Sequence, residues 1–217
     1  MSKHVVIIGG GFAGINLAKK LCKSSAFEIT LVDKNNYNFF PPLLYQVSTG
    51  FLDPSSITFP FRNLFRDQKN FRFRMGTFLE VNPQAKTITL DNGELTYDYL
   101  VLATGTQTNF FGLDQIEKHA IPMKTLEDAL HMRNLLLQRL EEATRIDDKS
   151  QRLPYLNMVI AGGGPTGVEI SGVFAELRNN TIRKEFPELV GSGSRIYLIN
   201  GGGELLSPMS EKSQKYT

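Results

Sequence analysis

The 217-residue sequence holds one cysteine, Cys22, and only three histidines. A single cysteine excludes an intrachain disulfide framework and fits a reducing cytoplasm. His4, His119 and His131 lie far apart with no zinc-type spacing, so no metal site is expected and each reads as a surface or packing residue. No stretch reaches the ~18 apolar residues of a membrane span, and the N-terminus runs into a strand without a signal-peptide core. Lysines and arginines are scattered singly or in pairs, and the formal net charge is +2. Such a balance gives no reason to expect nucleic acid. At 41% hydrophobic and 21% charged residues, the chain reads as an ordinary globular protein with one large domain or two small ones.

What is present starts at the N-terminus. Val5, Val6, Ile7 and Ile8 are apolar strand formers that run straight into Gly9-x-Gly11-x-x-Gly14. In this order of strand, turn and helix, Gly9 takes the turn and Gly11 lets a pyrophosphate approach the backbone. Gly14 lets helix and strand pack closely. The free N–H groups and positive end of the helix then face the phosphates. Leu17 and Leu21 are expected to face the sheet, with Cys22 a small buried or half-buried residue near the helix end. A second strand, residues 27–33, ends in Asp33, nineteen positions beyond Gly14. That spacing suits a carboxylate receiving an adenosine ribose better than a solvated strand end.

The middle of the chain is less regular. Residues 37–47 are aromatic and apolar, but Pro41 and Pro42 deny them a central strand or helix. They either line the flat face of a ring system or cap the core. Residues 53–66 read as irregular, then briefly helical around Phe61, Leu64 and Phe65. From Phe71 the period becomes two, and Asn92-Gly93 marks a hairpin, so antiparallel strands inserted into an α/β domain are expected here. Residues 97–105 read as a buried strand ending in the small turn Thr104-Gly105. Thr125 to Asp128 is a capping-box variant opening a helix with the stripe Leu126, Leu130, Arg133, Leu137, Leu140. That stripe packs within the chain or against a neighbouring copy. Residues 147–152 form a polar linker.

The opening pattern then returns. A strand from Asn157 to Ala161 leads into Gly162, Gly164 and Gly167, and a helix from Val168 to about Arg178 buries Ile170, Phe174 and Leu177. A second strand ends in Asn200, an amide where the first repeat has an acid, 33 positions beyond Gly167. Two strand–glycine–helix units imply two dinucleotide sites and a fold of the α/β class with two Rossmann-like βαβ units. Two dinucleotides on one chain suggest hydride transfer between a nicotinamide and a flavin.

The first loop, Asp33, the Phe39–Val47 stretch, the Tyr97–Gly105 strand and the Gly162–Glu169 loop together resemble type II NADH dehydrogenases. These are FAD-containing NADH:quinone oxidoreductases. The resemblance implies FAD on Gly9, Gly11, Phe12, Ala13 and Gly14, with its ribose at Asp33 and Lys34. It places Thr104 and Gly105 along the cofactor, and Pro42 and Leu43 near the isoalloxazine. It implies NADH on Gly162, Gly164, Pro165, Thr166, Gly167 and Asn200, with Glu169 near the stacked rings. The plainer reading of Glu169 is an acid in the first helical turn favoured by the dipole, worth ~0.3–1 kcal/mol. Domains are expected at 1–122 (FAD), 123–153 (connecting helix and linker) and 154–217 (NADH, truncated). Related enzymes carry cysteines near the flavin, but residues 35–50 have none, so electrons must pass directly to a quinone or another acceptor. A ferredoxin-like carrier or a non-catalytic nucleotide-binding module are the alternatives. By the same resemblance the chain is an N-terminal fragment, and segments that hold the family on the cytoplasmic membrane face lie outside it. Asn200 weakens the NADH preference that an acid would give, and the lack of a neighbouring arginine restores it.

Overall fold

The computed structural model describes residues 2–216, and the chain divides into two compact units, Met1–Phe40 with Pro54–Asn109 and Pro41–Asp53 with Phe110–Thr217. In the first unit β1 (Lys3–Ile8) leads through helix α1 (Phe12–Leu21) to β2 (Phe27–Asp33). A short antiparallel pair follows, β3 (Tyr37–Phe39) with β4 (Thr58–Pro60). Then come β5 (Phe71–Met75), an antiparallel sheet of β6 (Phe78–Asn82), β7 (Thr87–Leu90) and β8 (Gly93–Thr96), and finally β9 (Tyr99–Leu102). The main sheet has the order β5-β2-β1-β9 with every pairing parallel.

The four-residue apolar run at the start has its explanation in burial on both faces. Val5 and Ile7 join Ile29, Leu31 and Phe73 against Ile15 and Ala18 of α1 and against Phe61 and Phe65. Val6, Ile8 and Val32 point the other way, onto Ile88 and Leu90 of the antiparallel sheet. A parallel sheet covered on both faces needs continuous apolar strands. Each such side chain, fully buried, contributes ~1.5–3 kcal/mol.

Several details depart from the sequence reading. Leu17 and Leu21 pack against the sheet cluster and Cys22 is half-buried, as expected, but the deepest places on α1 go to Ile15 and Ala18. The alternating Phe71–Met75 segment is a parallel edge of the main sheet, not part of the inserted antiparallel element. Its Arg74 ties that element down, donating to the Asn92 carbonyl at 2.7 Å, while Asn92 Nδ2 donates to the Met75 carbonyl at 2.7 Å. The β9 strand is an edge, with Tyr99 and Leu102 exposed. The two prolines do exclude residues 41 and 42 from a regular helix, but a helix starts directly after them at Leu44–Ser48.

In the second unit Thr125 Oγ1 accepts the Asp128 N–H at 3.1 Å and Asp128 accepts that of Thr125 at 2.7 Å, the expected capping box. It opens helix α2 (Leu126–Thr144). The buried stripe is Leu126, Ala129, Leu140 and Ala143, whereas Leu137 is exposed: Leu126 and Leu140 are buried as expected, and the small Ala129 and Ala143 complete the packed face. Next come β10 (Met158–Ala161), α3 (Pro165–Glu176), a six-residue π-helical stretch at Leu177–Ile182, and β11 (Ile196–Ile199), which is parallel to β10. Ile170, Phe174 and Leu177 are buried as expected, in one cluster with Leu140, Ala143 and Ile160. The opposite face of β10 and β11 carries Val159, Tyr197 and Ile199, all exposed.

Arg152, read from sequence as linker, is buried. Its Nε–H donates to the Ile146 carbonyl at 2.7 Å, and a terminal N–H donates to the Glu188 carbonyl. Arg152→Met leaves these carbonyls without partners and is expected to lower stability in urea unfolding by ~2–4 kcal/mol. In the first unit Asp98 accepts from the His4 N–H at 2.8 Å and from Lys3 Nζ at 3.1 Å, and these bonds, the former foremost, hold its carboxyl below the usual aspartate range. A depressed carboxyl stabilises the fold above its unfolded pKa, and the contribution is lost as pH falls through the folded value. The stability gap between wild type and Asp98→Asn, measured by urea unfolding at several pH values, is therefore expected to shrink below about pH 4.

Candidate functional site

The two glycine turns are built alike, bond for bond. The Gly9 N–H donates to the Val32 carbonyl at 2.8 Å, and the Gly162 N–H to that of Ile199 at 2.8 Å. Gly9 has φ +105° and Gly162 φ +112°, a backbone that side chains other than hydrogen rarely adopt. The following N–H then reaches the residue at the end of the second strand. That of Gly10 donates to Asp33 Oδ2 at 2.6 Å, and that of Gly163 to Asn200 Oδ1 at 3.2 Å. Each helix begins by the bond expected of its N-cap glycine, Ile15 N–H to the Gly11 carbonyl and Val168 N–H to the Gly164 carbonyl.

Steric demand separates the glycines by task. A Cβ on Gly14 would fall on the Gly9 carbonyl, and one on Gly167 on the Gly162 carbonyl, so these two permit helix to pack on turn. A Cβ on Gly11 or Gly164 would meet nothing of this chain within 4 Å. The space there is open. Neither helix has a side-chain cap, so the first-turn N–H groups, at Phe12, Ala13 and Gly14 in one unit and Thr166 and Gly167 in the other, are available to an anion. Pro165 at the start of α3 lacks an N–H and fits that first position. Both turns fit a dinucleotide pyrophosphate.

In the first unit the remaining expected residues gather around the turn. Thr104 follows β9, and its backbone nitrogen borders Gly9. Gly105 comes next with φ +70°, and Lys34 is exposed directly after Asp33. Asp33 Oδ1 accepts the Asn35 N–H at 2.8 Å, so each carboxylate oxygen holds one backbone donor and keeps a lone pair for ribose hydroxyls. Pro42 and Leu43 form a 3-10 turn of the second unit, leading into the Leu44–Ser48 helix whose Leu44 and Val47 are buried. Glu169 is the fifth residue of α3 and exposed, and the first turn carries no acid. The dipole argument for it therefore fails. A hollow of about 330 Å3 along α1 is lined by Phe12, Asn16, Lys19, Asn38 and Phe59 but by none of the glycines.

Sequence reasoning missed the middle glycines. A Cβ on Gly10 would enter the Phe61 ring, and one on Gly163 would strike Leu205 and Asn200. Asn38 Nδ2 also donates to the Gly10 carbonyl at 2.9 Å, which fixes both sides of that peptide. The runs of three glycines were the available signal, since a GxGxxG motif requires only the outer two of each.

The chain matches the family model of the pyridine nucleotide-disulphide oxidoreductases over residues 3–217. It belongs to that family. Its relatives include the type II NADH:quinone oxidoreductase NdhA of Mycobacterium tuberculosis, 39% identical over 96% of this chain and 45% of that protein. The type II NADH:quinone oxidoreductase Ndh of the same organism is 34% identical over 96% of this chain and 46% of its own. Among solved structures, NDH2 from Plasmodium falciparum in complex with NADH superposes with a TM-score of 0.91, at 27% identity, over all of this chain and 45% of that one. The chain thus spans about half the length of the curated relatives it matches. The family's Rossmann-like α/β fold is the one seen here, with two glycine turns on parallel strands.

These 217 residues hold no cysteine pair for a disulfide: Cys22 lies at the end of α1, and burial raises its thiol pKa. Among the described residues no group of His, Cys, Asp or Glu could hold a metal ion, and no helix is long and apolar enough to cross a membrane. The glycines give a paired prediction. Gly14→Ala and Gly167→Ala should each lower stability by ~1–3 kcal/mol through overpacking. Gly11→Ala and Gly164→Ala should stay within ~1 kcal/mol of wild type in the same urea titrations.

Proposed function

We propose that the chain supplies the two dinucleotide-binding units of a flavin-dependent NADH:quinone oxidoreductase of the type II kind, as its N-terminal portion. FAD occupies the first turn and NADH the second, and the acceptor is a quinone. In chain order the FAD-binding part is 1–122, the connecting helix and linker 123–153, and the NADH-binding part 154–217. The observation that carries this reading is the duplicated turn, with open space at Gly11 and Gly164 and an uncapped helix behind each. The relatives' printed activities, together with the missing cysteine pair, favour quinone over a thiol relay.

Within this reading, bound FAD supplies a two-electron carrier between NADH and quinone. The protein's own part is to bind and orient. Gly9, Gly11, Phe12, Ala13 and Gly14 hold the flavin pyrophosphate, Asp33 and Lys34 border its ribose, and Thr104 and Gly105 run along it. Pro42 and Leu43 lie near the flavin ring. Gly162, Gly164, Pro165, Thr166, Gly167 and Asn200 hold NADH, and the exposed Glu169 lies near the reacting rings. No side chain has to act as a nucleophile. Membrane attachment is peripheral, on the cytoplasmic face, through segments outside these residues, and a homodimer is the proposed assembly.

The test is to purify the protein in the full length encoded by its gene and follow NADH oxidation with a water-soluble quinone. Flavin absorbance with turnover is the expected result, and the absence of both overturns the reading. Asp33→Ala, which removes a charge-assisted hydrogen bond worth ~1.5–3 kcal/mol, should weaken FAD retention roughly 10- to 100-fold by equilibrium dialysis. Gly164→Val should keep the flavin and raise KM for NADH at least about 10-fold, because its side chain fills the space reserved for the pyrophosphate.

A further inference from the structure

Asn200 directly follows β11, in the place that Asp33 takes at the end of β2, but its amide is used differently. Oδ1 accepts the Gly163 N–H at 3.2 Å, while Nδ2 donates to the carbonyls of Gly202 at 3.0 Å and Glu204 at 2.9 Å. Only this orientation satisfies the network, since the reverse would set N–H against N–H and oxygen against two carbonyls. An aspartate could not take the place without facing those carbonyls. The loop is clamped a second time, by the Leu206 N–H donating to the Gly163 carbonyl at 2.7 Å, with Leu206 buried at φ +53°. That left-handed backbone, at a leucine, belongs to a segment whose shape is imposed by its surroundings. Residues 201–206 are thereby held against the second glycine turn.

The consequence is chemical. With both amide hydrogens spent on the loop, Asn200 offers no donor to a phosphate and keeps one lone pair for a ribose hydroxyl. From Gly201 to Ser210 the only charged residue is Glu204, and its main chain is bonded to Asn200. Glu204 is exposed and, among the described residues, forms no ion pair. The hollow it borders, with Leu205 packed toward Gly163, also holds Glu211 and Lys215, leaving one net negative charge.

We infer that Glu204 is the specificity-determining residue of the second turn: its carboxylate repels a 2′-phosphate and makes the site select NAD(H) over NADP(H). The negative charge that a Rossmann unit ordinarily carries at the strand end has moved four residues into the loop, and Asn200 has become the positioning residue that holds the loop in place. This inference rests on the second turn being the nicotinamide nucleotide site.

The test is calorimetric titration of the full chain with NAD+ and with NADP+, which bind without turnover. Wild type should bind NAD+ more tightly. Glu204→Gln should narrow the preference about 3- to 10-fold, chiefly by improving NADP+ binding, as expected for losing a repulsion screened by solvent. Glu204→Asp should retain the preference. Raising salt from about 0.02 to 0.5 M should erode the wild-type ratio but not that of Glu204→Gln, a signature of charge that a merely structural role would not give. An unchanged ratio in Glu204→Gln, or a salt-independent one in wild type, overturns the inference and leaves the nucleotide assignment standing. Failure to bind either nucleotide overturns both.

Discussion

The bond from the middle glycine N–H to the side chain at the end of the second strand fixes everything around each turn. It is made twice, by Gly10 to Asp33 and by Gly163 to Asn200. Without it the turn would be held to the second strand only by the preceding backbone bond, and the helix start would be free to swing. With it, the carbonyl of the first glycine is aimed at the helix and the N-cap glycine is turned outward. The steric difference then follows from geometry: the third motif glycine must clear a carbonyl, and the second faces open space.

In the proposed reading the same bond couples the two halves of nucleotide recognition. A residue at the strand end that accepts from the turn cannot be chosen for the ribose alone. Asp33 meets both demands because a carboxylate has about four acceptor positions and spends only two on the Gly10 and Asn35 N–H groups. Asn200 has fewer acceptor positions and two donors, and the donors are satisfied by carbonyls of the next loop. A single change from acid to amide therefore recasts the loop as well as the charge.

Much of the fold was legible in the sequence, because it rests on local patterns. The glycine spacings, the apolar strands before them, the capping box at Thr125 and the stripe of Ile170, Phe174 and Leu177 all appear where their residue types require. What was not legible depends on contacts between distant segments. The period-two pattern of Phe71 to Met75 says strand, but nothing local says that it pairs parallel to β2. Likewise the polarity of Arg152 suggests solvent, while three backbone and side-chain acceptors from separate segments bury it. The α2 stripe was read only in part, because leucines attract attention and the buried face is marked partly by Ala129 and Ala143.

The duplicated turn finally separates what a glycine motif specifies from what it does not. Both copies share the first glycine's backbone angle, the hydrogen bonds to strand and helix, and the steric limits at the second and third motif glycines, so the motif itself can do no more than seat a pyrophosphate on a helix. The differences lie just outside it. Phe61, Asn38 and Ala103 wall the first turn, and Leu205, Asn200 and the loop ending at Leu206 wall the second. Those walls come from segments 28 to 94 residues away from the glycines they border. In the proposed reading, with a different nucleotide on each turn, the choice is therefore set by these surroundings, since two turns of the same backbone cannot by themselves choose different ligands.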